Sequence, residues 1–381
     1  MRVLVTGGAG FIGSHTVDLL VKKGYQVRVF DSLEPPVHPE RQKPSYVPKD
    51  VEFVQGDIRD RDRVTEALRG VDAVFHLAAY QDYLPDFSKF ALVNDAGTAL
   101  LYEVIVRERF PVKKVVVASS QAVYGEGKYT CPQHGAQYPL PRPLAQLERG
   151  DWDIACPVCQ GAMMTARIEE ATVNPHNQYA VSKYAQELYS LVLGRRYDIA
   201  TVAMRYAIIQ GPRQSFHNAY SGVLRIFSVR LVRGEPLPVY EDGKQLRNYV
   251  YVGDAAKANV IALERDDANY QALNVANEAP TSVLEYAALL GKVMGVTPRL
   301  QLNGQFRFGD TRHILSDTSR LRALGWSTTV SLESVVKEYV AWLRTQPGIA
   351  DSVDQSLEEM KKRGVIREGV RTADSGGVGR R

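Results

Sequence analysis

The N-terminal stretch Arg2-Val-Leu-Val-Thr-Gly-Gly-Ala-Gly-Phe-Ile-Gly13 decides the fold. A short β-rich run leads into three spaced glycines, Gly7, Gly10 and Gly13, and residues 14–23 then carry apolar side chains at helical spacing. Such a strand–turn–helix unit needs glycine where φ is positive, where a phosphate meets bare backbone and where the helix packs on the strand. Free N–H groups at the helix start attract phosphate oxygens. The stretch therefore predicts a turn that binds the pyrophosphate of a dinucleotide.

The next strand indicates which dinucleotide this is. Residues 26–30 are rich in β-forming side chains and end at Asp31. An acidic side chain about 20 residues after the glycine turn accepts hydrogen bonds from the ribose hydroxyls and repels a 2′-phosphate, which favours NAD over NADP. A flavodoxin-like turn with a solvated Asp31 is the alternative.

The same pattern continues through the first half of the chain. The apolar runs 51–55, 73–77 and 114–118 each precede small or polar residues. This alternation is typical of an α/β fold with a doubly wound parallel sheet, whose ligands bind at the carboxyl ends of the strands. Ala78 and Ala79 would let a flat cofactor lie against the backbone there, or would simply allow close packing.

Three side chains near this edge indicate proton-transfer chemistry. Tyr179 and Lys183 are four residues apart on a predicted helix, 174–193, and so share one face. A phenol ionises near pH ~10, and an adjacent ammonium together with a positively charged nicotinamide lowers its pKa towards the working range. Ser120, at a strand end, can hydrogen-bond the substrate oxygen whose proton Tyr179 removes. The alternatives are a surface Tyr–Lys pair and an ordinary serine turn.

Composition excludes several classes of protein. The 381 residues are 45% hydrophobic and 24% charged, which excludes a mainly disordered chain. The net charge of +4 arises in residues 361–381, which hold seven basic and two acidic side chains, so a nucleic-acid-binding body is not supported. No apolar run is long enough for a membrane span, and no signal pattern follows Met1. Three cysteines do not make a disulfide framework. We expect a soluble, cytoplasmic protein.

Taken together, the motifs resemble the extended short-chain dehydrogenase/reductase family, and within it the NAD-dependent nucleotide-sugar epimerases and dehydratases. The resemblance extends from residue 1 to about 345. It rests on Thr6-Gly-Gly-Ala-Gly-Phe-Ile-Gly13, Asp31, Gly56-Asp57-Ile58, His76-Leu-Ala-Ala79, Asn94 with Gly97-Thr98, Ser120 before Val123-Tyr-Gly125, and Tyr179 with Lys183.

This resemblance implies a Rossmann fold with tightly bound NAD and a smaller α/β carboxyl-terminal domain that binds a nucleoside diphosphate sugar. The residues implied for NAD are Gly7, Gly10, Phe11, Ile12, Gly13, Asp31, Asp57, Ile58, Leu77, Ala78, Ala79, Tyr179 and Lys183.

The implied domain boundaries divide the chain into three parts. Residues 1–206 plus 250–276 form the NAD-binding domain, 207–249 plus 277–349 the sugar-nucleotide domain, and 350–381 a terminal helix and a flexible basic tail. The tail is expected to be mobile from Gly364 onward, because it is rich in glycine and charge. By analogy with the family, we expect a homodimer that forms through residues 98–109 and 178–193.

The resemblance also implies which residues hold the substrate. Arg247 and Arg307 match the two stretches that contact the diphosphate, where each planar guanidinium can donate two charge-assisted hydrogen bonds. Surface ion pairs are the alternative for both. The family's Phe-Asn after the arginine–tyrosine pair is replaced here by Ala207-Ile208. The sugar contacts must therefore differ, and the candidates are Ser120, Gln121 and Arg213, with Ser215 as the alternative to Arg213.

The reaction is indicated by what the sequence lacks. Similar dehydratases carry an acidic pair just after the catalytic hydroxyl, and similar decarboxylases a glutamate, whereas this chain has Gln121 and Ala122. The remaining chemistry is epimerisation, at C4 through a transient 4-keto sugar, of a dTDP-6-deoxyhexose such as dTDP-rhamnose or of a UDP-hexose or uronate. C2 epimerisation and NAD-dependent reduction are alternatives, and a non-enzymatic NAD-sensing or RNA-binding protein is the hypothesis from another class.

All three cysteines lie in an unusually long segment between Ser120 and Tyr179, which we place as an insertion at about 126–172. Cys131 and His134 form one pair, and Cys156 and Cys159 the other. Two pairs with this short spacing suit a closed, tetrahedral zinc site. We expect a structural zinc that stabilises the insertion beside the substrate site; unligated thiols are the alternative.

Overall fold

The computed structural model describes residues 1–82, 84–215, 222–346 and 352–369. The strands are β1 Arg2–Thr6, β2 Gln26–Asp31, β3 Glu52–Gln55, β4 Ala73–His76, β5 Lys114–Ser120, β6 Lys128–Cys131, β7 Gly135–Gln137, β8 Met164–Ile168, β9 Ala200–Tyr206, β10 Ile208–Gln210, β11 Leu237–Val239, β12 Leu246–Tyr251, β13 Gln271–Val275, β14 Pro280–Ser282, β15 Leu300–Leu302, β16 Gln305–Arg307, β17 Leu315–Ser316 and β18 Ile366–Glu368.

The α-helices are α1 Phe11–Lys22, α2 Arg61–Leu68, α3 Phe87–Phe90, α4 Gly97–Arg107, α5 Leu144–Glu148, α6 Gln178–Arg196, α7 Gly222–Val232, α8 Val252–Glu264, α9 Val283–Met294, α10 Ser319–Ala323, α11 Leu332–Leu343 and α12 Ser352–Lys362. Shorter helical turns cover Ala91–Ala96, a π-helix, and Gln121–Tyr124 and Asp266–Ala268, which are 3-10 turns. No helix in the described ranges is long and apolar enough to cross a membrane.

A seven-stranded sheet forms the centre of the molecule, in the order β3-β2-β1-β4-β5-β9-β13. Every strand pair in it is parallel. Helices cover both faces: α1 and α8 pack on one, and α2, α4 and α6 on the other. The predicted α/β class with a doubly wound parallel sheet is thereby confirmed. The strand ends that follow Thr6, His76 and Ser120 meet at one edge.

A second apolar core lies beyond this edge, between α7, α9, α11 and α12. Tyr286, Tyr339 and Phe227 are among its most buried side chains. Short sheets, β10-β12-β14 and β11-β15, lie beside it. Residues 250–276 return to the main sheet through α8 and β13, so the chain crosses between the two parts more than once.

The segment predicted as an insertion forms a small sheet of its own. β6, β7 and β8 pair antiparallel, and β8 also pairs in parallel with β17 from the later part of the chain. Trp152 packs on Phe306 at a ring distance of 6.0 Å. The segment therefore bridges the part that carries β5 and the part that carries β16.

The prediction of a mobile tail from Gly364 is wrong for residues 364–369. β18 pairs antiparallel with β16, and Ile366 is buried in the second core beside Leu357 and Met360. The glycine-rich, charged composition of this segment gave no sign that Ile366 would be buried, because its strand partner, β16, is distant in sequence. The rest of the predicted tail, 370–381, lies outside the described residues.

Candidate active site

The glycine turn leaves no room for side chains. Gly7 has φ +66°, and a Cβ built on it would lie 2.8 Å from the backbone nitrogen of Ala78. A Cβ on Gly13 would lie 2.1 Å from the carbonyl oxygen of Gly7. Bare backbone and the N-terminus of α1 therefore face a cleft of about 900 Å³.

Asp31 ends β2 inside this cleft and holds the turn in place. Its Oδ1 accepts from the N–H of Leu33 at 2.9 Å, and its Oδ2 accepts from the N–H of Ala9 at 3.0 Å. The His38 ring lies 4.0 Å from the carboxylate. Burial raises the pKa of Asp31, and the Leu33 N–H and His38 oppose that shift. The same carboxylate that would face a ribose thus also ties two backbone segments together.

All thirteen residues predicted to hold NAD line this one cleft. Asp57 sits at its rim, where Arg59 donates to the carboxylate at 2.8 Å and lowers the pKa of Asp57. Leu77, Ala78 and Ala79 form part of the wall after β4. The structure thus brings the set together, as expected if one elongated ligand crosses the strand ends.

Tyr179 and Ser120 meet at the floor of the cleft. Ser120 and Gln81 line the cleft with Tyr179, and both act to lower the pKa of its hydroxyl. Ser120 Oγ also accepts from the N–H of Ala122 at 3.1 Å, which fixes its position at the end of β5. Helix α6 begins at the Asn177 cap, whose side chain accepts from the Ala180 N–H at 2.8 Å. This cap sets the register that turns Tyr179 inward.

Lys183 lies one turn further along α6 and is almost fully buried. Its Nζ donates to Oε1 of Gln186. Burial lowers the pKa of Lys183 to about 7, and the Glu187 and Asp95 carboxylates oppose that shift. Burial raises the pKa of Tyr179 to about 12, against the hydrogen bonds from Ser120 and Gln81. Burial in the folded chain therefore favours the neutral phenol of Tyr179 over the phenolate.

A buried polar chain lies behind Lys183. The His76 ring bridges Thr6 Oγ1 at 2.8 Å and Thr98 Oγ1 at 2.9 Å. Thr98 Oγ1 donates its only proton to the Asn94 carbonyl, so it can only accept a hydrogen bond from the His76 ring. The ring proton of His76 therefore sits on Nε2. Gln186 Nε2 also donates to Thr98, which links this chain to Lys183.

The predicted substrate residues do not all reach the cleft. Ser120, Gln121, Arg247 and Arg307 line it, but Arg213 does not. Arg213 instead pairs with Asp18 at 2.7 Å, and its guanidinium lies over the Tyr46 ring. The candidate role of Arg213 in sugar binding stays a prediction; in the structure its charge is paired with the carboxylate of Asp18 on α1.

The two remaining arginines have partners that orient them. Arg247 donates to the backbone carbonyls of Thr311 at 2.6 Å and Arg312 at 2.9 Å. The guanidinium of Arg307 lies over the Tyr240 ring at 4.8 Å. Both arginines line the cleft that the glycine turn also lines.

Some cleft residues were missed by the sequence reasoning. Gln81, Glu126 and Glu241 all line the cleft. Gln81 could have been found, because it follows β4 by a few residues at the same edge as Ser120. Glu126 and Glu241 carry no local signal, since their partners are distant in sequence.

The four predicted metal ligands converge. All their ligand atoms lie within 4.8 Å of one another, and no other such group lies among the described residues. Cys131 Sγ is 3.5 Å from His134 Nδ1 and 3.8 Å from Cys159 Sγ, and Cys156 Sγ is 3.7 Å from His134 Nδ1. Zinc–sulfur bonds of about 2.3 Å in a tetrahedron place sulfurs about 3.8 Å apart. The donor set thus fits zinc in type and in spacing.

Comparison with known proteins adds the evolutionary relationship. The model of the NAD dependent epimerase/dehydratase family matches residues 3–145 and 158–276. The chain belongs to this family. The matched residues include the glycine turn, Asp31, Ser120, Tyr179 and Lys183.

Two relatives match this chain along nearly their whole length. The dTDP-L-rhamnose 4-epimerase of Burkholderia thailandensis is 34% identical over 353 residues, which cover 90% of this chain and 94% of that protein. The UDP-glucose 4-epimerase of Mycolicibacterium smegmatis is 31% identical over 357 residues, which cover 91% and 99%.

Solved structures of family members have the same fold. The UDP-glucose 4-epimerase of Thermotoga maritima with UDP-glucose aligns with a TM-score of 0.72 at 29% identity, covering 90% of this chain and 99% of that one. The UDP-glucose 4-epimerase of Thermus thermophilus in complex with NAD aligns with a TM-score of 0.71 at 30% identity, covering 91% and 99%. The family model passes over residues 146–157, within the segment predicted as an insertion.

Proposed function

We propose that the protein is an NAD-dependent epimerase that inverts C4 of a nucleoside diphosphate sugar. The observation that carries this proposal is that Tyr179, Lys183 and Ser120 line the same cleft that the glycine turn faces. A proton acceptor, a hydroxyl donor and a dinucleotide cradle in one cavity suit the oxidation of a sugar alcohol and its reduction back.

NAD fits the residues at the glycine turn. The sites where a Cβ would collide with backbone, at Gly7 and Gly13, make space for a pyrophosphate, and Asp31 offers an acceptor for ribose hydroxyls. When bound there, NAD would supply reversible hydride transfer. Its positive nicotinamide would add a charge to that of Lys183, and both favour the Tyr179 phenolate.

The proton steps belong to the protein. Tyr179 takes the proton of the sugar 4-hydroxyl and returns it after the ring has turned over, while Ser120 hydrogen-bonds the same oxygen. Gln121 and Ala122 stand where an elimination would need carboxylates. The side-chain oxygen of Gln121 is buried without a hydrogen-bond partner among the described residues, which suits a contact to the sugar.

For the substrate we propose a dTDP-6-deoxyhexose, with dTDP-L-rhamnose as the first compound to test. The 34% identity to an enzyme of that name supports the choice. Ala207, Ile208 and Ile209 give the cleft an apolar wall that suits a C6 methyl group better than a hydroxyl or carboxylate. Arg247 and Arg307 are proposed for the diphosphate.

Turnover with catalytic NAD tests the proposal. dTDP-rhamnose, UDP-glucose and UDP-glucuronate are each incubated with the enzyme, and the products are identified by NMR. A C4 epimer formed without net NADH supports the proposal. A C2 epimer, or product only with stoichiometric NADH, would establish one of the alternative reactions instead. Tyr179→Phe should lower turnover by about 10²–10⁴-fold and leave NAD binding intact.

We also propose that Cys131, His134, Cys156 and Cys159 bind one structural zinc ion. Four protein ligands leave no open coordination position for substrate, so a role in holding the fold is favoured. Three free thiols in one cluster also suit a reducing compartment such as the cytoplasm. Elemental analysis of the purified protein tests this: about one zinc per chain supports it, and none after purification without chelators contradicts it.

The homodimer is a further part of the proposal. Helix α6 presents a row of exposed apolar side chains, and large apolar patches on a soluble protein favour an interface. Members of the row are Val181, Leu188, Tyr189 and Val192. Light scattering of the wild-type protein and of Leu188→Glu tests the interface, and a monomeric wild type would refute it.

A further inference from the structure

Three consecutive residues, 310–312, supply the backbone against which Arg247 lies in the cleft. Arg247 Nη2 donates to the carbonyl of Thr311 at 2.6 Å, and its Nη1 donates to the carbonyls of Arg312 and Leu246, each at 2.9 Å. Two of these three acceptors belong to neighbouring peptide groups. The direction of the Arg247 guanidinium therefore depends on where this short piece of backbone is held.

The charge of Arg247 has no counter-ion in the part of the chain that the structure describes. The side chain is half-buried and lines the cleft, and its hydrogen bonds are all to backbone carbonyls. A guanidinium has five N–H groups, so one on Nε and one on Nη2 remain for a ligand. A partly buried cation with two unused donors favours an anionic ligand that can accept both.

The segment predicted as an insertion holds the same backbone on both sides of Thr311. Arg142 Nη2 donates to the carbonyl of Asp310 at 3.0 Å. The N–H of Arg312 donates to Oε2 of Glu126 at 2.8 Å. Glu126 and Arg142 are both buried. Side chains from one segment thus fix the residues that flank the carbonyl to which Arg247 donates.

Glu126 lines the cleft itself, yet its charge is unsuited to direct contact with a diphosphate, because two negative groups repel each other. Its two carboxylate oxygens instead face the protein. Oε2 accepts from the Arg312 N–H, and Oε1 lies 3.5 Å from Arg142 Nε. The carboxylate therefore acts on the cleft through the backbone that it holds.

We propose that Glu126 is a positioning residue that holds the backbone of residues 310–312 and thereby directs Arg247 towards the diphosphate of the substrate. A buried N–H needs an acceptor, so loss of the carboxylate would favour a rearrangement in which the Arg312 N–H finds another one. Arg247 would then keep its charge and lose its direction. The affinity for the diphosphate should depend on Glu126, whereas the hydride and proton steps should not.

Calorimetric titration of the NAD-loaded protein with dTDP and with UDP tests the proposal. Arg247→Met should weaken binding about 10- to 100-fold, and Glu126→Leu about tenfold. Glu126→Gln keeps a side-chain oxygen for the Arg312 N–H, so it should bind within about twofold of the wild type. Glu148→Gln, which changes an exposed carboxylate of the same segment, is the matched control and should bind like the wild type. In turnover, Glu126→Leu should raise KM and leave kcat nearly constant.

A double-mutant cycle separates positioning from general support of the fold. If Glu126 acts through Arg247, Glu126→Leu should weaken nucleotide binding by less than about twofold once Arg247 is already methionine. Equal losses in both backgrounds would overturn the inference, and so would an unchanged affinity in Glu126→Leu alone. NAD affinity, measured by fluorescence, should be the same in all variants. If the leucine variant does not fold, Glu126→Asp, whose carboxylate is one methylene further from the Arg312 N–H, replaces it in the same cycle.

The inference rests on the proposed function, in which Arg247 binds a diphosphate, and the two can fail separately. If the wild type binds dTDP or UDP but epimerises no nucleotide sugar, the proposed reaction fails, while the binding cycle still tests Glu126. If epimerisation occurs and the cycle shows no coupling between Glu126 and Arg247, only the inference fails. If the wild type binds neither nucleotide, Arg247 has no diphosphate to face, and the inference fails whatever the turnover shows.

Discussion

Arg142 and Glu241 form a buried ion pair with two hydrogen bonds, Nη1 to Oε2 at 3.0 Å and Nη2 to Oε1 at 2.9 Å. Arg142 belongs to the segment predicted as an insertion, and Glu241 follows β11 in the second part of the molecule. Arg312 donates to the same carboxylate at 3.0 Å. The segment predicted as an insertion is thereby held against the part of the cleft where the sugar nucleotide is proposed to bind.

Removing Arg142 should destabilise the protein strongly. Arg142→Met leaves Glu241 buried with one fewer cation, and breaking a buried pair costs about 3–5 kcal/mol; we expect the lower end because Arg312 remains. The free energy of unfolding from urea titration measures this. Arg149→Met, an exposed arginine of the same segment, is the control. Equal losses in the two variants would show that the pair contributes little.

The parts of the structure that follow local rules were predictable from the sequence. The glycine turn is fixed by backbone stereochemistry within a dozen residues, and the place of Ser120 follows from the rule that parallel strands present their carboxyl ends at one edge. Tyr179 lies on α6 and was indicated by its four-residue spacing from Lys183. The pairing of Arg213 with Asp18 could not be predicted, because Asp18 lies almost 200 residues earlier in the chain. The burial of Ile366 was missed for the same reason, since its strand, β18, pairs with the distant strand β16. Long-range partners leave no periodic signal.

Loss of one metal ligand should release the metal and loosen the insertion. Cys156→Ser removes a fully buried thiolate ligand, so we expect less than about 0.1 zinc per chain and a Tm lower by roughly 5 °C, because ligand binding is part of the folding energy of such a segment. NAD affinity should not change, since the glycine turn is built from other strands. Gln133→Ala, between two ligands, is the control and should keep its zinc. Full zinc retention by Cys156→Ser would remove this cysteine from the site.

Asp31 should set the preference between dinucleotides. In Asp31→Asn the charge that repels a 2′-phosphate is gone, and the single amide oxygen can accept from only one of the two backbone N–H groups, of Leu33 or of Ala9, that the carboxylate now holds. The NAD-to-NADP affinity ratio should fall about tenfold or more, which corresponds to about 1.4 kcal/mol. Fluorescence titration with each dinucleotide measures it. Asp50→Asn changes an exposed carboxylate and should leave the ratio unaltered; an unaltered ratio in Asp31→Asn as well would contradict the assignment.

His76 should make the folded state sensitive to acid. Burial, with a smaller contribution from the Lys183 charge, lowers the pKa of His76 from 6.5 to about 3. Below pH 6.5 His76 binds a proton in the unfolded chain but not in the folded chain. Its contribution to the free energy of unfolding is therefore complete above pH 6.5 and declines as the pH falls towards 3. The free energy of unfolding then changes by about 1.4 kcal/mol per pH unit, or about 2 kcal/mol between pH 6.5 and 5.

Urea unfolding at pH 7 and pH 5 compares the wild type with His76→Asn. The variant should be less stable at both pH values because the Thr6 and Thr98 hydrogen bonds are weakened. On acidification the free energy of unfolding of the wild type should fall by about 2 kcal/mol more than that of the variant, because the contributions of the ionisable groups common to both proteins cancel in the comparison. Equal losses would mean that His76 is protonated in the folded state.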